Sequence, residues 1–208
     1  MARLPATLLL LLLVAGCGGG GQSERADGRW SMAPSACTAA LAASGVRVLP
    51  WTGAPAGGQC RVAAPVELLG LPPAVRVEGP GRTSCSMALA IARLAPVWDR
   101  LAQSYYGSGV DAVLSRGSYG CRGMSGNRRR LSLHANALAF DVGGFRLRDG
   151  RTVDVASHWS EWGRDGRFLR AAARAACETV NLVLTPNTDR YHQDHLHLDL
   201  GPWRRCDA

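Results

Sequence analysis

The stretch "HANALAFDVGGFRLRDGRTVDV", His134 to Val155, reads as a β-hairpin. Two strand-like runs flank Arg148-Asp149-Gly150, and an Asp-Gly pair supplies the positive backbone dihedrals that a tight turn needs. Downstream, Asp165 is placed to cap a helix over "GRFLRAAARAACETV", where Phe168, Leu169, Ala172, Ala176 and Val180 form one apolar face. "LVLTP" and "HLHLDL" supply further strands. Upstream, "VDAVLSRGSYGCR" reads as a strand and its exit loop. Before it, "CSMALAIARLAPVWDRLAQSYY" has helical spacing, with Thr83 and Ser84 available as caps and Pro96 expected to break or kink it. Residues 33–80 are rich in Gly, Pro and Ala, with short runs such as "VRVLPW" and "CRVAAPVELL". They read as strands and turns, an N-terminal embellishment held by Cys37 and Cys60. The expectation is an α+β domain over residues 81–208, a small antiparallel sheet with helices packed on it, and no internal repeat.

The beginning of the chain concerns destination. "MARLPATLLLLLLVAGC" has a positive charge at Arg3, an apolar run and then small residues, the pattern of a signal peptide over residues 1–16. Its apolar core, Leu8 to Ala15, falls short of the ~20 residues of a membrane-spanning helix. "Val14-Ala15-Gly16-Cys17" resembles the lipobox of bacterial lipoproteins, which makes Cys17 an acylated anchor, and residues 17–32 have the composition of a flexible, disordered Gly-rich tether. The implied place is the periplasmic face of the cell envelope, anchored in the outer membrane. Removing the leader leaves about 190 residues, enough for one domain with its own core.

Cys37, Cys60, Cys85, Cys121, Cys177 and Cys206 remain. An even number in an exported chain argues for disulfides, and no C-x-x-C pair suggests a zinc ribbon or redox motif. The formal charge of +8 comes from arginine alone, since the chain has no lysine. Such a balance suits an anionic envelope or nucleic acid. The densest run, "NRRR" at Asn127 to Arg130, has no interleaved aromatics and reads as a solvated basic loop, so nucleic acid is not an expected partner.

"YHQDHLHLDL", Tyr191 to Leu200, holds three of the five histidines. A metal site, a metal-free catalytic dyad and a polar strand edge all explain such a cluster. On a strand, His195, His197 and Asp199 share one face, and Leu196, Leu198 and Leu200 the other. The leucines then face the core and the polar set a cleft, where the two imidazoles need water or a shared cation. Another ligand must come from elsewhere. "SLHANALAFDVGG" offers His134 and Asp141, and two His with one Asp leave a tetrahedral zinc ion one open position.

Together, "Ser132-x-His134-x6-Asp141" and "Asp194-His195-x-His197" resemble the paired motifs of zinc D-Ala-D-Ala peptidases, lysostaphin-related murein endopeptidases and their Hedgehog-like relatives. More closely, "SYGCR", "LSLHANALAFDVGGF", "DGR" and "HQDHLHLD" are similar to the bacterial extensin-like C-terminal domain family, over roughly Val66 to Cys206. The resemblance implies a Zn2+ ion held by His134, Asp141 and His197, and hydrolysis of amides in peptidoglycan stem peptides or cross-links. A noncatalytic wall-binding lipoprotein with the same groove is the alternative. The resemblance offers Asp194 or His195 as general base, with strand geometry favouring His195. It also implies Arg122 as a contact to substrate or developing oxyanion, and Ser132 and His192 as substrate-binding residues. Asp199 is expected to orient a neighbouring histidine, and His158 to be a surface residue without a part in the site.

Overall fold

Residues 24–25 and 30–208 are described in the computed structural model, and the Asp-Gly turn lies where the sequence puts it. In chain order the elements begin with β1 (Glu24–Arg25), α1 (Pro34–Ala43), β2 (Arg47–Pro50), β3 (Pro65–Leu71) and β4 (Val75–Glu78). Next come β5 (Arg82–Ser84), α2 (Cys85–Tyr106), β6 (Val110–Gly117), β7 (Gly123–Met124) and β8 (Asn127–Leu131). A 3-10 turn (Leu133–Asn136) precedes β9 (Ala139–Leu147), β10 (Thr152–Asp154) and α3 (Val155–His158). The chain ends with α4 (Arg164–Cys177), β11 (Leu182–Leu184), β12 (Leu196–Asp199) and β13 (Trp203–Cys206).

β9 and β10 pair antiparallel, Arg146 opposite Thr152, and Gly150 at φ +87° lets the Gly150 N–H return to the Leu147 carbonyl. The fold is α+β, as the element pattern suggests. The sheet is larger than the small antiparallel one expected, with 11 strands in the order β1-β13-β11-β12-β9-β6-β4-β3-β2, β10 added on β9 and β5 on β3. It is also mixed, because β4–β6 and β11–β13 run parallel. Several of its strands are two to four residues long, too short to show a period in the sequence.

Residues 33–80 differ from their reading as strands and turns. Pro34–Ala43 is a helix that buries Cys37 and Leu41, and β2, β3 and β4 are members of the main sheet rather than an appendage. Disulfides Cys37–Cys85, Cys60–Cys121 and Cys177–Cys206 tie the chain, the first two joining this segment to the start of α2 and to the loop beyond β6.

Ser84 caps α2 by accepting from the Met87 N–H at 3.3 Å, and Gly107 ends the helix in the left-handed conformation at φ 69°. Pro96 does not break it: the helix runs through, and the ring removes only the donor to the carbonyl four residues earlier. α4 begins at Arg164, not after an Asp165 cap. The Asp165 carboxylate instead accepts from the Tyr106 hydroxyl at 2.9 Å and sits in the first turn, where the helix dipole favours an acid. Trp98 joins the helices, its Nε1–H donating to the Ala172 carbonyl at 3.1 Å and its ring meeting Phe145 edge-on.

The core lies between these helices and one face of the sheet. On β9, Phe140 and Val142 join the core while Asp141 turns to the opposite face. The ladder to β6 skips a residue after Val142, so Phe145 and Leu147 return to the core side despite the change of parity. Glycine is required at this bulge, because a Cβ on Gly144 would stand 2.4 Å from the Val153 carbonyl oxygen. The "DVGGF" sequence thereby places a carboxylate on one face within an otherwise buried apolar strand. Among the described residues no helix is long and apolar enough to cross a membrane. The expected leader, the expected anchor Cys17 and most of the expected tether lie outside the described residues.

Candidate metal and catalytic centre

His197 on β12 faces Asp141 on β9 as its direct cross-strand partner, and Leu196 and Leu198 fill the core behind them. His134 arrives from the 3-10 turn. Ser132 accepts from the His134 N–H at 3.3 Å, which fixes the start of that turn. Asn136, in the same turn, donates to the carbonyls of Gln59 and Arg61 at 2.9 Å each. The Cys60–Cys121 disulfide lies within this brace, as does a small cluster of Trp51, Val62 and Ala137 with Tyr119 against it. The N-terminal segment therefore holds the turn that presents His134.

Hydrogen bonds select the tautomers. The Nδ1 of His134 lies 2.9 Å from the Ser118 backbone carbonyl, which can only accept, so Nδ1 carries the proton and Nε2 presents its lone pair. Asp199 takes His197 Nε2–H at 3.4 Å, and its other oxygen accepts from the Gly201 N–H at 2.8 Å. His197 Nδ1 is then the nitrogen that a metal would take, and without a metal it carries a proton toward Asp141. It stands 3.2 Å from His134 Nε2, with Asp141 Oδ1 2.9 Å from His197 Nδ1 and Asp141 Oδ2 3.2 Å from His134 Nε2. Once that proton leaves, two facing lone pairs beside a buried carboxylate need a cation between them.

The same contacts set how the metal-free cluster titrates. Burial alone would depress His197, but hydrogen bonds to Asp141 and Asp199 outweigh it and raise its pKa to about 9. Burial would raise Asp141, yet its contacts with His134 and His197 hold it well below the usual carboxylate range. The donor set suits zinc: two imidazole nitrogens and a carboxylate, all within 4.8 Å of one another, each imidazole held from behind by an acceptor.

Two further histidines complete the cluster. His195, in the turn before β12, directs Nε2 to within 3.6 Å of Asp141 Oδ1 and donates from Nδ1 to Asp194 at 2.7 Å. The Asp194 side chain is 56% exposed against 15% for His195, so the carboxylate stands behind the imidazole and away from the centre. His192 donates from Nδ1 to Asp189 at 2.8 Å, and its ring centroid is 5.3 Å from that of His195 and 5.5 Å from that of His197. Burial is the chief cause that lowers the His192 pKa.

His134, Asp141, His192, His195, His197 and Asp199 line one cavity of about 430 Å³, and Arg122 and Ser132 line it too. Arg122 is exposed, touches Ser125 Oγ at 3.5 Å and has no carboxylate partner among the described residues. His158 lies apart, half-buried, bonded to the backbone of Asp154. Sequence reasoning missed the Ser118 carbonyl, a backbone acceptor that leaves no trace in residue type. It also missed Asp189, whose spacing of three residues from His192 was a usable signal. The walls formed by Leu182, Leu184 and Trp203 arise from pairing across the sheet.

The extensin-like protein C-terminus family matches residues 35–207, nearly all of the described chain. This chain belongs to that family. The match begins at α1, so the segment before residue 80 lies within the family's extent together with the histidine cluster. No curated protein and no solved structure matches the chain.

Proposed function

We propose that this extensin-like chain is a zinc-dependent peptidase that hydrolyses amide bonds in peptidoglycan stem peptides or cross-links. The observation that carries the reading is the convergence of His134 Nε2, His197 Nδ1 and the Asp141 carboxylate, with His195 Nε2 3.6 Å from the same carboxylate. His134, Asp141 and His197 would hold the ion. Zinc in such a site supplies a Lewis acid for the amide carbonyl and makes water acidic enough to yield a nucleophile near neutral pH.

The chain's own residues do the rest. His195 Nε2 takes the proton from the attacking water and returns it to the departing amine, while Asp194 keeps the opposite nitrogen protonated. Arg122 donates to the oxygen on which negative charge builds. Asp199 fixes the His197 tautomer from behind. The apolar walls of Leu182, Leu184 and Trp203 accept an extended peptide and exclude water. The leader and Cys17 support placement as an outer-membrane lipoprotein facing the periplasm, in reach of peptidoglycan.

Incubating purified protein with muropeptides, with and without chelator, tests the reading. New amine ends detected by mass spectrometry, lost on chelation and regained with zinc, are expected. Intact muropeptides under zinc-replete conditions would instead assign the groove to a noncatalytic wall-binding protein.

A further inference from the structure

The run "NRRR" has no part in the chemistry above, and it is not the loop its composition suggests. Asn127–Leu131 is strand β8, paired only with β7 in a hairpin separate from the main sheet and exposed along its whole length. The β7–β8 ladder is irregular across these arginines, with Met124 opposite Asn127 and Gly123 opposite Leu131, so the cavities and not strand alternation place their side chains. Arg130 lines the cavity that holds His134, Asp141 and His197. Arg128 lines an adjoining space of about 620 Å³ that shares Arg122, Met124, Ser125 and Tyr191 with the first, and Arg129 lines neither.

Elsewhere Arg76, Arg116, Arg146, Arg148 and Arg205 each reach a carboxylate. Arg128 and Arg130 reach none among the described residues. The acids that line the main cavity, Asp141, Asp189 and Asp199, are all turned to imidazoles. With Arg122, which lines both spaces, three permanent charges therefore stand there with no internal counter-charge among the described residues. A guanidinium matches a carboxylate in a planar, two-bond geometry. Nucleic acid fits less well, because single-strand binders stack successive bases on several open aromatic faces, and this cavity offers only Trp203 and a Tyr191 ring that already has Arg190 over it at 4.9 Å.

We propose that Arg128 and Arg130 form an anion subsite that selects peptides carrying a free carboxylate away from the bond to be cleaved. The substrate class rests on the peptidase reading; the binding step does not. The probe is a pair of stem tetrapeptides, identical except that the glutamate α-carboxyl is free in one and amidated in the other. Binding is measured by calorimetry on metal-free protein, which does not turn the peptide over. The free-acid peptide should bind about tenfold more tightly than the amide, the scale of a charge-assisted contact.

Arg128→Ala with Arg130→Ala should abolish that difference while leaving the melting temperature unchanged, and Arg128→Glu with Arg130→Glu should reverse it. Equal binding of the two peptides overturns the proposal, as does a preference that survives the double substitution. Displacement of the peptide by a single-stranded oligonucleotide of higher affinity would overturn it in favour of nucleic acid. A carboxylate preference without cleavage under zinc would sink the peptidase reading and leave the subsite standing. Cleavage indifferent to amidation would do the reverse.

Discussion

His197 stands opposite Asp141 across the β12–β9 ladder, its Nδ1 2.9 Å from Asp141 Oδ1. Ladder register, not loop conformation, sets this distance, so the pair is held in place before any ion arrives. His134 depends instead on a turn capped by Ser132 and braced by Asn136. The expected consequence concerns occupancy. Wild-type protein should retain about one equivalent of zinc through gel filtration, and His134→Ala, Asp141→Ala and His197→Ala should each retain almost none, since a tetrahedral site reduced to two protein ligands holds zinc weakly. Elemental analysis of the eluted protein checks this.

The geometry of His195 and Asp194 separates base from orienting group. His195→Ala should keep zinc while hydrolysis falls by about 10²–10⁴, the usual contribution of a positioned acid or base. Asp194→Asn should cost less, because Asp194 lies behind the imidazole and half in solvent. Rates on a single muropeptide decide between them, and the opposite ranking would make the carboxylate the base.

What the sequence revealed and what it hid have physical causes. The period of two in "HLHLDL" made the polar face legible, because leucines that must enter the core leave the alternating positions for chemistry. The Asp-Gly turn and the Ser84 cap were legible because each depends on a local residue type. The helix over Pro34–Ala43 was not, since its Ala-rich run shows little contrast between faces. Nor was the breadth of the sheet: β4 and β6, parallel neighbours, are joined through the whole of α2, and no local pattern encodes such pairing. His195 was expected on the strand face with His197. It lies one residue before β12 and still reaches the cluster, because its turn carries it over Asp141.

Metal uptake should release a proton. In the metal-free chain His197, with its pKa raised to about 9, carries a proton at neutral pH on the nitrogen that zinc would take. Below that pKa, zinc affinity should therefore rise with pH. Calorimetry at pH 7 in buffers of differing ionisation enthalpy should give a proton release near one per ion from this group.

Stability of the metal-free chain should have the opposite sign. A raised histidine pKa contributes stability that is full below its ordinary value of ~6.5 and is lost as pH climbs through about 9. The depressed Asp141 contributes above the ordinary carboxylate value of ~3.9 and is lost in acid. Melting temperatures of chelated protein should accordingly fall between pH 6.5 and 9.5. Zinc-loaded protein should not share that fall, because the ion takes the proton's place.

The Cys60–Cys121 disulfide ties the loop that receives Asn136 to the residue beside Arg122. Its closure spans a sequence separation of 61 residues, for which chain entropy alone gives about 4 kcal/mol at ambient temperature. Replacing both cysteines by serine should lower the denaturation midpoint by an amount on that scale or less. The effect on chemistry should be uneven. His134 keeps its Ser118 and Ser132 hydrogen bonds, and Asn136 keeps its bonds to the Gln59 and Arg61 carbonyls, so the turn keeps its aim and zinc content should be preserved. Arg122 loses the restraint on its neighbour and holds no carboxylate of its own, so kcat should fall while zinc stays bound. Zinc content and kcat measured on the same preparation, under conditions where circular dichroism shows the chain folded, would tell this positioning role from general destabilisation, in which both decline together.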